Sequence, residues 1–129
     1  MKQTSRLQAK QTILVVDQDE QALKFISESL AEDYAVLTAK SGEDALRQSQ
    51  KCKSEISFLL ADLQMDTMTG IDLATQITVH RPTLKVFLIA HYPAGLLVLN
   101  GGWHFLPNPL IASQLLTLVA SGKSSRVAA

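Results

Sequence analysis

Short apolar bursts alternate with longer amphipathic stretches along the whole chain. Ile13-Leu14-Val15-Val16 is apolar, largely β-branched and followed at once by acids, the pattern of a strand buried on both faces. Leu23, Ile26 and Leu30 then recur at helical spacing, with Lys24 and Glu28 on the opposite side. Tyr34 to Ala39 predicts a second, weaker strand. Ser41-Gly42-Glu43-Asp44 reads as a helix start: the serine oxygen can cover free amides, and the acids face the positive helix end. That helix is expected to run to about Lys51. Ile56 to Ala61 predicts a third strand ending at Asp62, and Ile71, Leu73, Ala74 and Ile77 a third helix closed by Pro82. Val86 to Ala90 is the least ambiguous strand, Trp103 to Leu106 a short fifth, and Leu110 to Val119 a last helix.

Strands alternating with helices through short connections imply an α/β fold with a parallel sheet covered on both faces. In such folds ligands sit at the carboxyl ends of the strands. The residues of interest are therefore Asp17, Gln18 and Asp19 after the first strand, Asp62 after the third, Ala90 and His91 after the fourth, and Asn108 beyond the fifth.

Composition narrows the function. The 129 residues are 47% hydrophobic and 19% charged, enough apolar material for a core. Twelve Lys and Arg offset twelve Asp and Glu, which argues against nucleic acid or an anionic membrane held by bulk electrostatics. Every carboxylate side chain lies at or before Asp72; only Arg81, Lys85, Lys123 and Arg126 carry charge after it. A lone Cys52 forms no intrachain disulfide and fits a reducing cytoplasm. The polar start has no signal-peptide core, and no apolar run reaches the roughly 20 residues needed to span a bilayer. The expectation is one cytoplasmic domain over residues 12–120, with a polar extension over 1–11, a flexible tail over 121–129 and no output domain.

Asp17, Asp19 and Asp62 bring carboxylates to one sheet edge. Crowded carboxylates hold a divalent cation or shift their pKa values upward, and oxygen ligands favour magnesium. The plainer reading is that Asp17 and Asp19 cap the following helix. Asp62, on another strand, is not needed for that cap and favours a site.

ILVVDQDE, TAKSGEDAL, FLLADLQMDTMTG, RPTLKVFLIA and WHFLPNPL, taken in order, resemble the receiver domain of bacterial two-component response regulators. The resemblance runs over roughly residues 12–120, and Asp62 with Met65, Met68 and Gly70 is its most specific segment. It implies a flavodoxin-like doubly wound five-stranded sheet in the order 2-1-3-4-5. It further implies that Asp62 accepts a phosphoryl group from a sensor histidine kinase or phosphotransfer protein. Magnesium would then be held by Asp62, by the acidic pair after the first strand and by the backbone carbonyl of Gln64. A hydroxyl after the fourth strand and a lysine after the fifth would contact the phosphoryl oxygens, and Phe105 would be the switch aromatic.

The sequence departs from that pattern at several positions. Gln18 stands where the second acid is the usual metal ligand; its amide oxygen binds magnesium more weakly. Asp19 is a compensating candidate. Ala90 has no donor where a hydroxyl is expected, and Asn108 lacks the lysine's charge. Asp66 stands where receivers usually carry proline. The span from Ala90 to Asn108 is short by roughly one turn, about 3.6 residues, implying a shortened fourth helix. His91 is a candidate source of positive charge beside the site.

Three functions follow. The first is a single-domain receiver phosphorylated on Asp62. The second is a pseudo-receiver, an adaptor that binds an unknown protein partner without phosphorylation. The third is an Asp-nucleophile phosphatase: Val15-Val16-Asp17-Gln18-Asp19 resembles the opening of haloacid dehalogenase-type enzymes, with Asp17 the nucleophile and Asp19 the general acid. That chemistry also needs a Ser or Thr after a later strand, a Lys and a late acidic pair; Ala90 stands at the hydroxyl position and no carboxylate side chain lies beyond Asp72. No Gly-rich GxxxxGK[ST] phosphate loop occurs.

Overall fold

The computed structural model describes residues 10–90 and 103–107, and in the second segment the side chains of Trp103 and His104. Within them the chain runs β1 (Gln11–Val16), α1 (Glu20–Leu30), β2 (Tyr34–Ala39), α2 (Gly42–Lys51), β3 (Phe58–Asp62), α3 (Gly70–His80), β4 (Lys85–Ala90) and β5 (Trp103–Pro107). The five strands form one parallel sheet in the order β2-β1-β3-β4-β5. The expected flavodoxin-like order, 2-1-3-4-5, is the observed one. The shortened fourth helix, the Leu110–Val119 helix and the tail lie outside the described residues.

Each helix begins where its cap dictates. Asp19 accepts from the Gln21 N–H to open α1, and Ser41 accepts from the Asp44 N–H to open α2. α3 carries a reciprocal capping box between Thr69 and Asp72. β1 starts two residues before the apolar run, because Gln11 and Thr12 pair with Tyr34 and Ala35. The last residue of the expected polar extension therefore belongs to the sheet. β3 starts at Phe58, with Ile56 buried ahead of it and Ser57 bridging Thr12 and Lys85 through its backbone.

Alternation along the strands divides the core. Leu14, Val16, Leu59, Ala61, Val86 and Leu88 pack with Ala45 of α2 and Leu73, Ala74 and Ile77 of α3. Ile13, Val15, Phe58, Leu60, Phe87 and Ile89 pack with Leu23, Ile26 and Leu30 of α1. With helices on both faces the central strands have no solvated side, so Ile13 to Val16 are all essentially inaccessible.

Candidate functional site

The sheet register brings two acids together. Val16 lies opposite Ala61 in the β1–β3 pair, so Asp17 and Asp62, each one residue further on, are neighbours at the carboxyl edge. Adjacent strands run about 4.8 Å apart. Continuing the alternation, both belong to the face of Ile13, Val15, Phe58 and Leu60, the face covered by α1. Both are buried, Asp17 at 4% and Asp62 at 7% exposure, which is rare for aspartate in a structure of this size. Each turns one oxygen to its own following loop: Asp17 Oδ1 accepts from the Asp19 N–H at 2.9 Å, and Asp62 Oδ1 from the Gln64 N–H at 3.0 Å. The loops after β1 and β3 are thus folded around the two carboxylates.

Asp19 has another task. It is exposed, and its side chain caps α1 through the Gln21 N–H at 3.0 Å. Gln18 reaches across to the next loop, where its Nε2 donates to Asp66 Oδ2 at 3.2 Å and its Oε1 accepts from the Asp66 N–H. Asp66 is thereby a site residue whose role sequence reading missed. A contact across 48 residues leaves no local pattern; the only available signal was that positions 18 and 66 depart from the resemblance together.

The β3–α3 loop is held closely. Gly70 donates its N–H to the Leu63 carbonyl, and a Cβ on it would lie 2.5 Å from the Asp62 carbonyl oxygen. Met68 packs on Gly42 at the start of α2, where a Cβ would meet its sulfur at 2.5 Å. Two glycines therefore let α2 and α3 approach the loop that carries Asp62 and Gln64.

Ala90 ends β4 beside this edge and is packed in the core cluster shared with α2 and α3, presenting a methyl and no donor. Phe105 lies in β5 opposite Leu88. His91 and Asn108 lie outside the described residues. Lys40, after β2 on the same edge, was not singled out from sequence; it pairs with Glu20 at 2.5 Å. The contact holds the Lys40 ammonium above its usual pKa and the Glu20 carboxyl below its own.

Magnesium takes hard oxygen donors and is often held by only one or two carboxylates with waters. Asp17, Asp62 and the Gln64 carbonyl form a donor set of that kind. Among the described residues no group of three or more His, Cys, Asp or Glu side chains is arranged to hold a metal. A cation here would therefore rest on two carboxylates rather than a dedicated cage.

A doubly wound parallel sheet with paired acids on adjacent strand ends defines a flavodoxin-like α/β domain whose pocket is acidic. The chain belongs to the response regulator receiver domain family, whose model matches residues 13–98. A 78-residue stretch, 60% of the chain, is 35% identical to the transcriptional regulatory protein GlrR of Escherichia coli K12, and spans 17% of that protein's length. Among solved structures it is similar to a response regulator receiver domain protein from Clostridium thermocellum, with a TM-score of 0.77 and 26% identity, covering 87% of this chain and 93% of that one. It is also similar to the receiver domain of the hybrid histidine kinase CckA, with a TM-score of 0.75 and 26% identity, covering 86% and 97%. The chain is thus a module of two-component signalling and not an enzyme. Receiver domains typically bind Mg2+ at the phosphorylation site and interact with histidine kinases or phosphotransfer proteins. No helix among the described residues is long and apolar enough to cross a membrane.

Proposed function

We propose that this receiver accepts a phosphoryl group on Asp62 from a sensor histidine kinase or phosphotransfer protein in the cytoplasm. The observation that carries this reading is the buried Asp62 closing β3 beside the buried Asp17. An Asp62 carboxylate oxygen attacks phosphorus of a phosphohistidine; the P–N bond breaks and its electron pair stays with the imidazole. Asp17, Asp62 and the Gln64 carbonyl are the residues that would hold Mg2+, which when bound supplies charge neutralisation between carboxylate and phosphoryl oxygens. The Gln64 N–H bond to Asp62 Oδ1 fixes the carboxylate's orientation. With Ala90 beside the site, the phosphoryl oxygens gain no hydroxyl contact from the end of β4.

Beryllofluoride, a stable mimic of an aspartyl phosphate, tests this directly. Binding by calorimetry that needs both Mg2+ and Asp62, and is lost in Asp62→Ala, is expected. No binding at millimolar Mg2+ by a folded chain would overturn phosphorylation as the trigger. The reading left would be a phosphorylation-independent adaptor for a protein partner. It draws support from the Ala90 methyl and from Gln18 being turned to Asp66.

A further inference from the structure

Two departures from the receiver pattern meet in space. A carboxamide offers an acceptor oxygen and a donor NH2, and Gln18 directs both at one residue: Oε1 to the Asp66 backbone N–H and Nε2 to the Asp66 carboxylate. This pairing is specific to both residue types. A glutamate at 18 would set a second carboxylate against that of Asp66. A proline at 66 would bring no N–H and no side-chain acceptor. Each residue is out of pattern alone, and together they satisfy one another.

The contact joins the loops that carry the acidic pair. Gln18 directly follows Asp17, and Asp66 follows Gln64 by two residues. The Asp66 side of the contact is well fixed, because Thr67 next to it holds φ at 60° and Met68 beyond is seated on Gly42. Both partners are exposed, so the contact is of modest strength and can open.

We propose that Gln18 and Asp66 form a latch that ties the two loops together without a metal and competes with divalent-cation binding at Asp17 and Asp62. This rests on the reading of that pair as the cation site. While the latch is closed, the Gln18 oxygen is committed to the Asp66 N–H and is not offered to a cation. The loops also keep their spacing with no ion between them. Opening the latch frees the oxygen and lets the loops adjust, so the latch lowers apparent cation affinity by the fraction of chains that are open.

The test sets the latch against simple electrostatics. Removing a carboxylate near a cation site ordinarily weakens the cation, whereas removing the latch strengthens it. Mg2+ binding to the full chain is measured by calorimetry for the wild type, Asp66→Pro, Asp66→Ala and Asp62→Ala. The latch requires Asp66→Pro, which loses both contacts, to bind Mg2+ roughly three- to tenfold more tightly. Asp66→Ala, which keeps the N–H, should gain less. Unchanged or weaker binding in both variants, with Mg2+ still bound through Asp62 in the wild type, overturns the latch. Failure of the wild type and both Asp66 variants to bind Mg2+ overturns the cation reading of Asp17 and Asp62, and the competition with it. A readout free of metal guards against a variant that does not fold: Gln18→Ala should speed hydrogen exchange at the Asp66 amide and leave that of core amides such as Leu60 unchanged. Equal exchange in the two proteins overturns the latch as well.

Discussion

Thr67 is the one non-glycine residue with positive φ among those described, at 60°. For a β-branched side chain this conformation is costly, on the order of 1–2 kcal/mol. Glycine removes that strain and returns part of it as unfolded-state entropy, roughly 0.5–1 kcal/mol. Thr67→Gly should therefore stabilise the chain by about 0.5–1 kcal/mol, read as a higher urea midpoint at unchanged m-value. A lower midpoint would mean that the Thr67 side chain makes contacts worth more than its strain. At this scale the sequence was uneven. Asp17 and Asp62 were legible because each closes an apolar run, and parallel strands place such ends side by side. Asp19 was legible as a cap, which is the role the structure gives it. Gln18 and Asp66 were legible only as two separate departures, since spacing along the chain carries no information about a contact between loops.

Arg81, just past α3, shows how elements are joined beyond their apolar faces. Its Nε donates to Ser49 Oγ at 3.0 Å, Nη2 to the carbonyls of Ser49 and Cys52 at 2.9 and 3.0 Å, and Nη1 to the Ser54 carbonyl at 3.2 Å. One guanidinium thus satisfies the open carbonyls at the end of α2 and its exit loop. Arg81→Ala should cost about 2–3 kcal/mol, and Arg81→Lys should recover less than half, because an ammonium cannot span the same fork of acceptors. Denaturant melts of the pair decide this; equal loss by Ala and Lys variants fits it, full rescue by Lys does not. At the other end of α3, Gly70→Ala drives a Cβ against the Asp62 backbone, which cannot swing aside as a flexible side chain would. A loss of about 1–3 kcal/mol is expected, together with weaker beryllofluoride binding, as the peptide carrying Asp62 is displaced. Helix positions were legible from apolar spacing and from Ser41 and Pro82. The role of Arg81 was not, because its acceptors are backbone carbonyls and leave no sequence signature.

At the scale of the molecule, periodicity established a parallel sheet covered on both faces, and the structure's two core clusters are the two faces of that alternation. Strand order was beyond periodicity, since nothing in a single strand says which neighbour it takes; it came from the resemblance. His104 joins β5 to the core by stacking on Phe87, with ring centroids 4.8 Å apart and planes within 18°. Burial there, helped by the positive charge of Lys85, holds its imidazole below the usual 6.5. The consequence for pH has a definite sign. Above about 6.5 the ring is neutral in both folded and unfolded chains, and its packing counts in full. As the pH falls through 6.5 the unfolded chain takes up a proton that the folded chain resists, so stability declines until the folded pKa is passed. His104→Phe keeps an aromatic ring against Phe87 and has no proton to gain. Its urea midpoint should therefore fall less than that of the wild type between pH 7.5 and 5.5, with the two proteins closest in stability at the upper end. Parallel declines would show that His104 stays solvated enough to titrate normally, and that the stack with Phe87 does not shield it.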